Sequence, residues 1–449
     1  MEGAKNLNPK KSDRYESKRK GRIPRWNPED EKFWNSEGKR HANRNLWISV
    51  AALFLAFVVW QIWSVVAVNL NDVGFSFTSS QLFTLAALPG LVGATLRIFF
   101  TFMPGIVGGK NWTVISTALL LLPAVGIGIA VQNPETSFTT MAILAALCGI
   151  GGGNFSSSMA NIAYFFPKKL KGSANGINAG LGNLGVSAVQ FVTPLVIATG
   201  TFAGLFGSSQ VSGSGSEVWI QNAAYIWVIP IALVTIIALW GMDNLPNTKQ
   251  SVKEQAIIFK NKHTWIMSWL YTMCFGSFIG YAAAFPLLIK SEFPEVNALQ
   301  LAFLGPLVGA SVRPIGGWIS DKLGGAIVTF WDIIIMIAAT TGVIYFLNQH
   351  HFTGFLVMFI ILFFTTGIAN GSTFRMIPII FEPKQASPVL GFTGAIAAYG
   401  AFIIPKIFSW SISTTGTANL ALYLFIAYYG ISLVVCWYYY TRKNAEVKC

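Results

Sequence analysis

Charged residues and cysteines are scarce in this sequence. Charged side chains make up 11% of its 449 residues, whereas a soluble domain carries about 25%. Together with a mean hydropathy of +0.55, this composition excludes a soluble globular protein and predicts a polytopic membrane protein. Three of the four cysteines lie within apolar runs and Cys449 is the last residue. Neither a disulfide framework nor a CxxC metal site is therefore predicted.

Acidic residues are also few, because only 18 Asp and Glu oppose 31 Lys and Arg. Thirteen of the basic residues fall between Lys5 and Arg44. The net positive charge therefore belongs to an N-terminal tail and does not indicate a nucleic-acid partner. The sequence shows no cluster of nucleophile, base and orienting group, and no metal-ligand spacing. It predicts neither an enzyme nor a bound metal or cofactor.

Twelve apolar runs are long enough to cross a hydrocarbon core about 30 Å thick. They lie near residues 47–70, 80–103, 113–131, 139–164, 173–203, 222–242, 264–289, 297–319, 326–347, 352–376, 386–410 and 418–441. An even number of spans places both termini on one side, and the lysine-rich loops of that side predict that it is cytoplasmic. The sequence thus predicts an all-α, multi-pass protein of the cell inner (plasma) membrane, surrounded by the lipid bilayer.

The spans divide the chain into five predicted regions. These are a basic cytoplasmic N-terminal tail (1–46), a first six-helix half (47–242), a cytoplasmic amphipathic linker (243–263), a second six-helix half (264–441) and a cytoplasmic C-terminal tail (442–449). Residues 26–34 of the first tail mix aromatic and charged side chains, which predicts docking on the membrane surface or a cap over a cytoplasmic opening. The Gly- and Ser-rich loop 205–218 is predicted to be flexible coil.

An internal repeat relates the two halves. The stretch VGATLR, which ends at Arg97, returns as VGASVR, which ends at Arg313, and the two positions differ by 216. The same offset carries Gly108-Gly109 onto Gly324-Gly325. Each arginine precedes its Gly-Gly pair by 11 residues, which is about 16 Å of helix or half of the hydrocarbon core. Two arginines are therefore predicted near the bilayer midplane, at matching places in two repeats.

These two arginines have no evident counter-charge. A single arginine in an apolar run often snorkels to the headgroups, but both are too deep to do so easily, and a buried charge costs several kcal/mol without compensation. Among the acidic residues only Asp332 lies inside a predicted span, near its cytoplasmic end. The missing charge is therefore predicted to be a small anionic ligand. Guanidinium groups favour planar oxyanions, because two parallel N–H donors match two coplanar oxygens.

Glycines form a second signal. Gly172, Gly176 and Gly180 recur at every fourth position and are followed by Gly182 and Gly185. This spacing predicts close helix packing and gating, as does Gly371 in the second repeat. The formal GxGxxG that begins at Gly180 has no preceding strand, so dinucleotide binding is not predicted. Some of the interleaved asparagines, which are Asn175, Asn178 and Asn183, are predicted to line a cavity.

Small polar residues flank one aromatic ring in each repeat. Asn154-Phe155-Ser156-Ser157 aligns with Asn370-Gly371-Ser372-Thr373, and Phe374 follows. Such a set suits a tight pocket with a ring over a flat ligand, although its hydroxyls serve equally well as hydrogen bonds between helices. Arg375 and Lys406 are both assigned to the cytoplasmic side, where they lead anions inward or anchor at headgroups. Anchoring is the expectation for Lys406.

Two segments resemble known signatures. GGGNFSSSMANIAYFFPKKLKGSANGINAGLGNLGVSAVQ, from Gly151, resembles the first nitrate signature of the NarK-type nitrate/nitrite porters, a family of the major facilitator superfamily. GIANGSTFRMIP, from Gly367, resembles the second. The resemblance continues through NLWISV at Asn45, TWIMSWLYTMCFGSFIGYAAAF at Thr264 and GGWISDKLGG at Gly316. It therefore covers nearly the whole chain.

The resemblance implies a monomer with twelve helices in two domains around one site for nitrate and nitrite. It assigns the anion to the arginines of the second and eighth helices, Arg97 and Arg313. It further implies contacts from an aromatic ring of each signature, a tyrosine of the seventh helix and an asparagine of the glycine-rich helix, which are Phe155, Phe374, Tyr271 and Asn183. The connection FEPKQASPVLGF after the tenth helix is shorter than in some relatives, which leaves gating at this loop open.

The arginine pair also predicts a transport mode. Two cations that face each other in an empty cleft repel, and one bound anion relieves part of that repulsion. We therefore expect alternating access around a fixed site, with anion exchange preferred over net uniport. A proton-coupled nitrate symporter uses the same site, and a porter for phosphate or a carboxylate also fits the arginine pair. An anion channel or a non-transporting sensor would lack the duplicated pocket or would need a further domain.

Overall fold

The described part of the chain is almost entirely helical. The computed structural model describes residues 23, 25–200, 207–246 and 256–449. Most of them lie in twelve long helical runs: α1 (Lys39–Gln61 and Trp63–Leu70), α2 (Ser79–Phe100), α3 (Gly109–Leu119 and Leu121–Ala130), α4 (Phe138–Phe165), α5 (Lys168–Ile197), α6 (Asn222–Gly241), α7 (Lys262–Tyr271 and Ser277–Glu292), α8 (Leu304–Leu323), α9 (Gly325–Asn348), α10 (Phe352–Ile380), α11 (Pro383–Ala398 and Gly400–Thr415) and α12 (Asn419–Cys436).

The helices have the length and composition of membrane spans. Within the described residues, eleven helical segments are long and apolar enough to cross a membrane. The twelfth, α8, carries Arg313, Asp321 and Lys322 and packs among the others. The predicted all-α fold is confirmed, and the twelve long helical runs agree with the predicted number of spans. The stretches 1–22 of the predicted tail and 247–255 of the predicted linker lie outside the described residues.

Short elements complete the connections. A two-stranded antiparallel sheet pairs Gln210–Val211 with Glu217–Val218 between α5 and α6. Flexible coil was the expectation for this loop, and it is wrong for these residues. Gly215 supplies a φ of +82° in the turn between the two strands, a conformation that glycine adopts without steric cost. The composition alone did not indicate that so short a glycine-containing segment pairs with itself.

The N-terminal segment packs on helix ends. Trp26 donates from Nε1 to the Tyr164 carbonyl oxygen at 3.0 Å, and its ring meets Phe165 edge-on at 5.4 Å. Glu29 accepts a hydrogen bond from the Lys168 backbone N–H at 2.9 Å, which satisfies a free donor at the start of α5. At the other end of the chain, Cys449 accepts from the backbone N–H of Ala326 in α9. We call the side where both ends lie the terminal side, and the opposite side the far side.

Matched turns relate α2–α3 to α8–α9. Gly108 and Gly324, which differ by 216 positions, have φ values of +95° and +91°. Only glycine adopts this backbone without strain. Gly324 ends α8 and starts α9, whereas Gly108 starts α3 after a π-helical turn, Pro104–Gly108, that follows the end of α2. The repeat found in the sequence therefore produces the same turn twice.

Close helix approaches depend on a subset of the glycines. A Cβ at Gly185 would clash with the Phe54 carbonyl oxygen, one at Gly182 would lie 2.7 Å from Leu53, and one at Gly371 would lie 2.6 Å from the Gly317 nitrogen. At Gly176 and Gly180 a Cβ would meet nothing within 4 Å. In this structure Gly176 and Gly180 therefore contact no other helix, and their role in packing and gating stays a prediction. A spacing of four identifies one helix face, but it does not show that another helix covers it.

This contrast predicts opposite outcomes for two alanine substitutions on α5. Gly185→Ala forces α1 and α5 apart and should lower the apparent melting temperature of the purified protein, since overpacking costs about 1–3 kcal/mol. Gly180→Ala enters open space and gains helix propensity of up to about 1 kcal/mol, so its melting temperature should stay equal or rise. Thermal unfolding in detergent measures both. A drop for Gly180→Ala as large as that for Gly185→Ala would contradict the contact geometry.

Candidate functional site

Arg97 is completely buried in α2. Its side chain has 0% relative exposure. Nε donates to the Gly152 carbonyl oxygen of α4 at 2.9 Å, and Nη1 donates to the Gly394 carbonyl oxygen of α11 at 2.7 Å. Nη2 is buried without a hydrogen-bond partner in the described residues. Two carbonyl dipoles thus hold the guanidinium group, but no carboxylate within the described part of the chain neutralises it.

Three aromatic rings surround the same guanidinium group. Its carbon lies 4.5 Å from the ring centre of Phe155, 5.0 Å from that of Trp60 and 5.2 Å from that of Phe275. Trp60 is fixed by a hydrogen bond from Nε1 to the Pro89 carbonyl oxygen at 2.8 Å. Ring faces attract a desolvated cation by about 2 kcal/mol. The rings therefore offset part of the burial cost without supplying a negative charge.

Arg313 is the corresponding group of α8. It is 7% exposed, and Nη2 donates to the Tyr271 hydroxyl at 3.2 Å. The Phe374 ring centre lies 4.8 Å from the guanidinium carbon, and Phe374 also packs on Tyr271 at 4.8 Å. Nη1 is buried without a partner among the described residues. Arg313 thus has fewer bonds than Arg97 and the same lack of a counter-charge.

An aromatic stack joins the two arginines. Phe275 stacks on Tyr271 at 5.5 Å with an interplanar angle of 8°, and on Phe155 at 6.2 Å with an angle of 23°. The two guanidinium charges act on each other, and both act on Tyr271. The site therefore contains two mutually repelling cations, each with one free N–H₂ group. This arrangement is suited to binding a small anion with several oxygen atoms.

A π-helical turn, Thr272–Gly276, interrupts α7 at this stack. Such turns are frequent at functional sites because they shift the register of the side chains that follow. Here the turn separates Tyr271 from the second half of α7 and places Phe275 in the stack. Neither Phe275 nor Trp60 was predicted as a site residue, because an aromatic residue in an apolar span carries no distinguishing signal. The Gly394 carbonyl was also missed, since backbone groups leave no trace in composition.

Asn183 lies in the glycine-rich helix α5. It is 1% exposed, and neither its Nδ2 nor its Oδ1 atom has a partner in the described part of the structure. No contact with Arg97 or Arg313 is observed, so its role remains a prediction. Asn178 differs, because its Nδ2 donates to the Ser158 hydroxyl of α4 at 2.8 Å. Asn178 therefore links α4 and α5.

The small polar residues of the two signatures also bond between helices. Ser372 contacts Thr329 of α9 at 2.6 Å, and Thr373 contacts the Cys274 sulfur at 3.2 Å. Asn154 donates weakly to the Ser116 carbonyl oxygen at 3.5 Å. For these side chains the structure shows the interhelical role. Their position beside the rings still fixes α4 and α10 against their neighbours, and these two helices carry Phe155 and Phe374.

Three charged residues near the spans lie outside the arginine pair. Asp332 is 5% exposed and forms no ion pair within the described residues, and its Oδ2 atom has no partner. Arg375 forms an ion pair with Asp321 at the end of α8. Lys406 was assigned to the same side as Arg375 and the chain ends, and this is wrong. Because α11 begins on the terminal side at Pro383, Lys406 lies past its middle, where Nζ donates to the Thr84 hydroxyl at 2.9 Å.

Contacts between the first six and the last six helices close the far side. Lys290 of α7 binds Asp72 and the Val68 carbonyl oxygen, both at 2.7 Å. Gln190 of α5 donates to the Ala282 carbonyl oxygen at 2.8 Å. These bonds hold the two sets of helices together on the far side in this structure.

Comparisons with known proteins match a transporter superfamily and two nitrate/nitrite transporters over most of this chain. The profile of the Major Facilitator Superfamily matches residues 46–405. The chain is similar to the nitrate/nitrite transporter NarU of Escherichia coli (strain K12), with 44% identity over 94% of this chain and 97% of that protein. It is also similar to the probable nitrate/nitrite antiporter NarK2 of Thermus thermophilus, with 43% identity over 95% of this chain and 98% of that protein.

Solved structures show the likeness in fold. A crystal structure of the D-xylose-proton symporter matches with a TM-score of 0.68 and 15% identity, over 88% of this chain and 97% of that chain. A bacterial homologue of the human lysosomal transporter Spinster, in an inward-facing and occupied conformation, matches with a TM-score of 0.67 and 15% identity over 88% and 96%. At this identity the likeness concerns the fold alone.

The site geometry predicts a specific effect of one hydroxyl group. Tyr271→Phe keeps the aromatic stack but removes a hydroxyl that accepts from Arg313 Nη2 and is predicted to donate its own O–H to the anion. A hydrogen bond to a charged group is worth about 1.5–3 kcal/mol. Anion affinity should fall about tenfold or more. Thermal stabilisation by sodium nitrate, which follows binding by mass action, measures this affinity. Tyr281→Phe is the matched control, because it removes a buried hydroxyl of the same helix that contacts Tyr429. An equal loss in both variants would contradict a local role of Tyr271.

Proposed function

This chain belongs to the major facilitator superfamily and, within it, to the nitrate/nitrite transporter family, and from this membership we propose that it exchanges nitrate and nitrite across the membrane around Arg97 and Arg313. The observation that carries the assignment of the site is the free N–H₂ group on each of two buried guanidinium ions that have no acidic partner in the described residues. The substrate supplies the missing negative charge.

Nitrate and nitrite suit this site chemically. Both are small, planar and monovalent, and their oxygens accept hydrogen bonds in the plane of the anion. Guanidinium N–H groups donate in their own plane and match such acceptors better than the point charge of an ammonium group. Phe155 and Phe374 pack over the guanidinium faces, so the donors are left to point along the edges. The rings favour an anion that is flat and weakly hydrated.

The two charges also determine the transport mode. Arg97 lies on α2 and Arg313 on α8, so their repulsion acts between the first six and the last six helices. When the two sets of helices close around an empty site, the two guanidinium charges come close together in a medium of low dielectric constant, where their repulsion is strong. A bound anion offsets this cost. The loaded carrier therefore changes conformation more easily than the empty one, which favours exchange over net uniport.

We propose that the terminal side is cytoplasmic. The loops and helix ends of that side carry basic residues, among them Lys168, Lys169, Lys262, Lys322 and Arg442. The far side carries the acidic residues Asp72, Glu135, Glu217, Glu292 and Glu295. This distribution follows the positive-inside rule. We accordingly propose a multi-pass protein of the cell inner membrane with both termini inside. That it works as a monomer stays a prediction from the family resemblance.

Exchange and proton symport predict different behaviour in proteoliposomes. Labelled nitrate should enter vesicles preloaded with nitrite or nitrate, should not accumulate in vesicles without internal anion, and should be indifferent to an imposed pH gradient. The arginine pair requires an anion on the return step, whereas no carboxylate or histidine in the described residues contacts either arginine. Uptake into empty vesicles that follows the proton gradient would instead establish the symport alternative.

Loss of either guanidinium group should abolish exchange. Arg97→Ala and Arg313→Ala each remove half of the anion site, and Arg→Lys at either position replaces a planar fork with a point charge. We expect at least about a hundredfold lower exchange, since two hydrogen bonds to a charged group are lost at about 1.5–3 kcal/mol each. Lys443→Gln, a charge removed from the C-terminal tail, is the control and should retain activity. Exchange at the wild-type rate in Arg97→Ala or Arg313→Ala would sink the assigned site.

A further inference from the structure

A continuous seam joins α2 and α11. From the far side inward, Lys406 contacts Thr84, Tyr399 contacts Thr95 at 2.9 Å, and the Gly394 carbonyl oxygen accepts from Arg97. Between them the helices approach so closely that a Cβ at Gly90 would lie 2.5 Å from the Ala401 backbone. The seam therefore leads from Lys406 to the substrate arginine along one face of α2.

Lys406 is a cation without a counter-charge in this seam. It is partly buried, and its one described side-chain partner is the Thr84 hydroxyl, which itself donates to the Ser80 carbonyl oxygen at 2.7 Å. Lys290 also bridges the first and last six helices on the far side, but it is paired with Asp72. A lysine at an apolar interface costs free energy unless a partner or function compensates it, and a single neutral hydroxyl compensates it weakly.

The seam has to open when the far side opens. Alternating access moves the two sets of helices around the site, so α2 and α11 separate at their far ends and Thr84 leaves Lys406. The freed ammonium group then lies in the mouth of the cleft, on the same seam as Arg97. Thirteen positions separate Thr84 from Arg97 on α2, which is about 20 Å of helix.

The charges on the far side indicate how the Lys406 ammonium group could act on an anion. The described far-side loops carry five acidic residues, which are Asp72, Glu135, Glu217, Glu292 and Glu295. They repel an approaching anion. A cation inside the cleft mouth raises the local anion concentration and the association rate. An ammonium group binds an anion without the planar fork of arginine, so the anion is held weakly and passes on.

From this geometry we propose that Lys406 is a second anion-binding position, which captures substrate anions at the far-side mouth and is masked by Thr84 when that side is closed. The proposal rests on the proposed anion exchange at Arg97 and Arg313 and adds an entry step to it. The Thr84 contact masks the charge while that side is closed, whereas the bond between Thr95 and Tyr399 and the close approach at Gly90 hold the seam together.

The test is the KM for nitrate, measured separately from the two faces in right-side-out and inside-out membrane vesicles. In Lys406→Gln the far-side KM should rise about tenfold, with kcat and the terminal-side KM unchanged. Lys406→Arg should restore the far-side KM. In the wild type, added inert salt should raise the far-side KM more than the terminal-side KM, because exposed charges are screened. The salt effect on the two wild-type KM values tests the proposal even if the Lys406→Gln variant does not insert into the membrane.

Thr84→Val separates capture from closure. It removes the partner of Lys406 in the closed seam but leaves the charge, so the far-side KM should stay as in the wild type. If Lys406→Gln and Thr84→Val shift both KM values alike, Lys406 is a lock and the proposal is overturned. An unchanged far-side KM in Lys406→Gln, or equal salt effects on both faces, overturns it as well. Failure of the proposed function is distinguishable, since wild-type vesicles would then show no nitrate exchange at all.

Discussion

Two guanidinium ions buried without a carboxylate partner are the constraint on which the rest of the site depends. Moving a charge from water into the bundle costs several kcal/mol unless it is paired, and here only partial compensation is present. The carbonyl oxygens of Gly152 and Gly394 and the hydroxyl of Tyr271 accept three of the available N–H bonds. Ring faces cover the cations. All these groups are neutral, so they leave the positive charge of the two guanidinium ions in place. An incoming anion is therefore still attracted to them.

Helix packing makes this partial compensation possible. Nε of Arg97 reaches a backbone oxygen of α4 because α2 and α4 approach at Gly93 and Gly152, where a Cβ at Gly93 would lie 3.0 Å from the Gly152 Cα atom. Larger side chains would hold the helices apart and leave the guanidinium group without that acceptor. In the second repeat, Gly371 lies against the backbone of α8 beside Arg313. The glycines therefore support the site through helix distance and not through contact with the substrate.

Repetition and unpaired charge could be recognised in the sequence, and they located Arg97, Arg313 and the two Gly-Gly pairs. Phe155 and Phe374 followed from the family signatures. Trp60 and Phe275 could not be recognised, because an aromatic residue of an apolar span has the same composition whether it faces lipid, core or cation. The same limit applies to Gly176 and Gly180, whose spacing is right for packing but whose face is uncovered. What a helix face meets is a tertiary property.

The repeat duplicates the position of the arginines but not their surroundings. Arg97 has two carbonyl acceptors and three rings, whereas Arg313 has one hydroxyl and one ring. A side chain held by more contacts loses more when it reorients. In the proposed site Arg97 is therefore the more rigid group, and Arg313 is the one that can adjust to an anion at small cost. Arg97 Nη1 also donates to the Gly394 carbonyl oxygen of α11. Arg97 is therefore part of the α2–α11 seam that separates when the far side opens. In the proposed mechanism, an anion at the arginine pair consequently acts on helix contacts of both sets at once, which would link binding to the change of access.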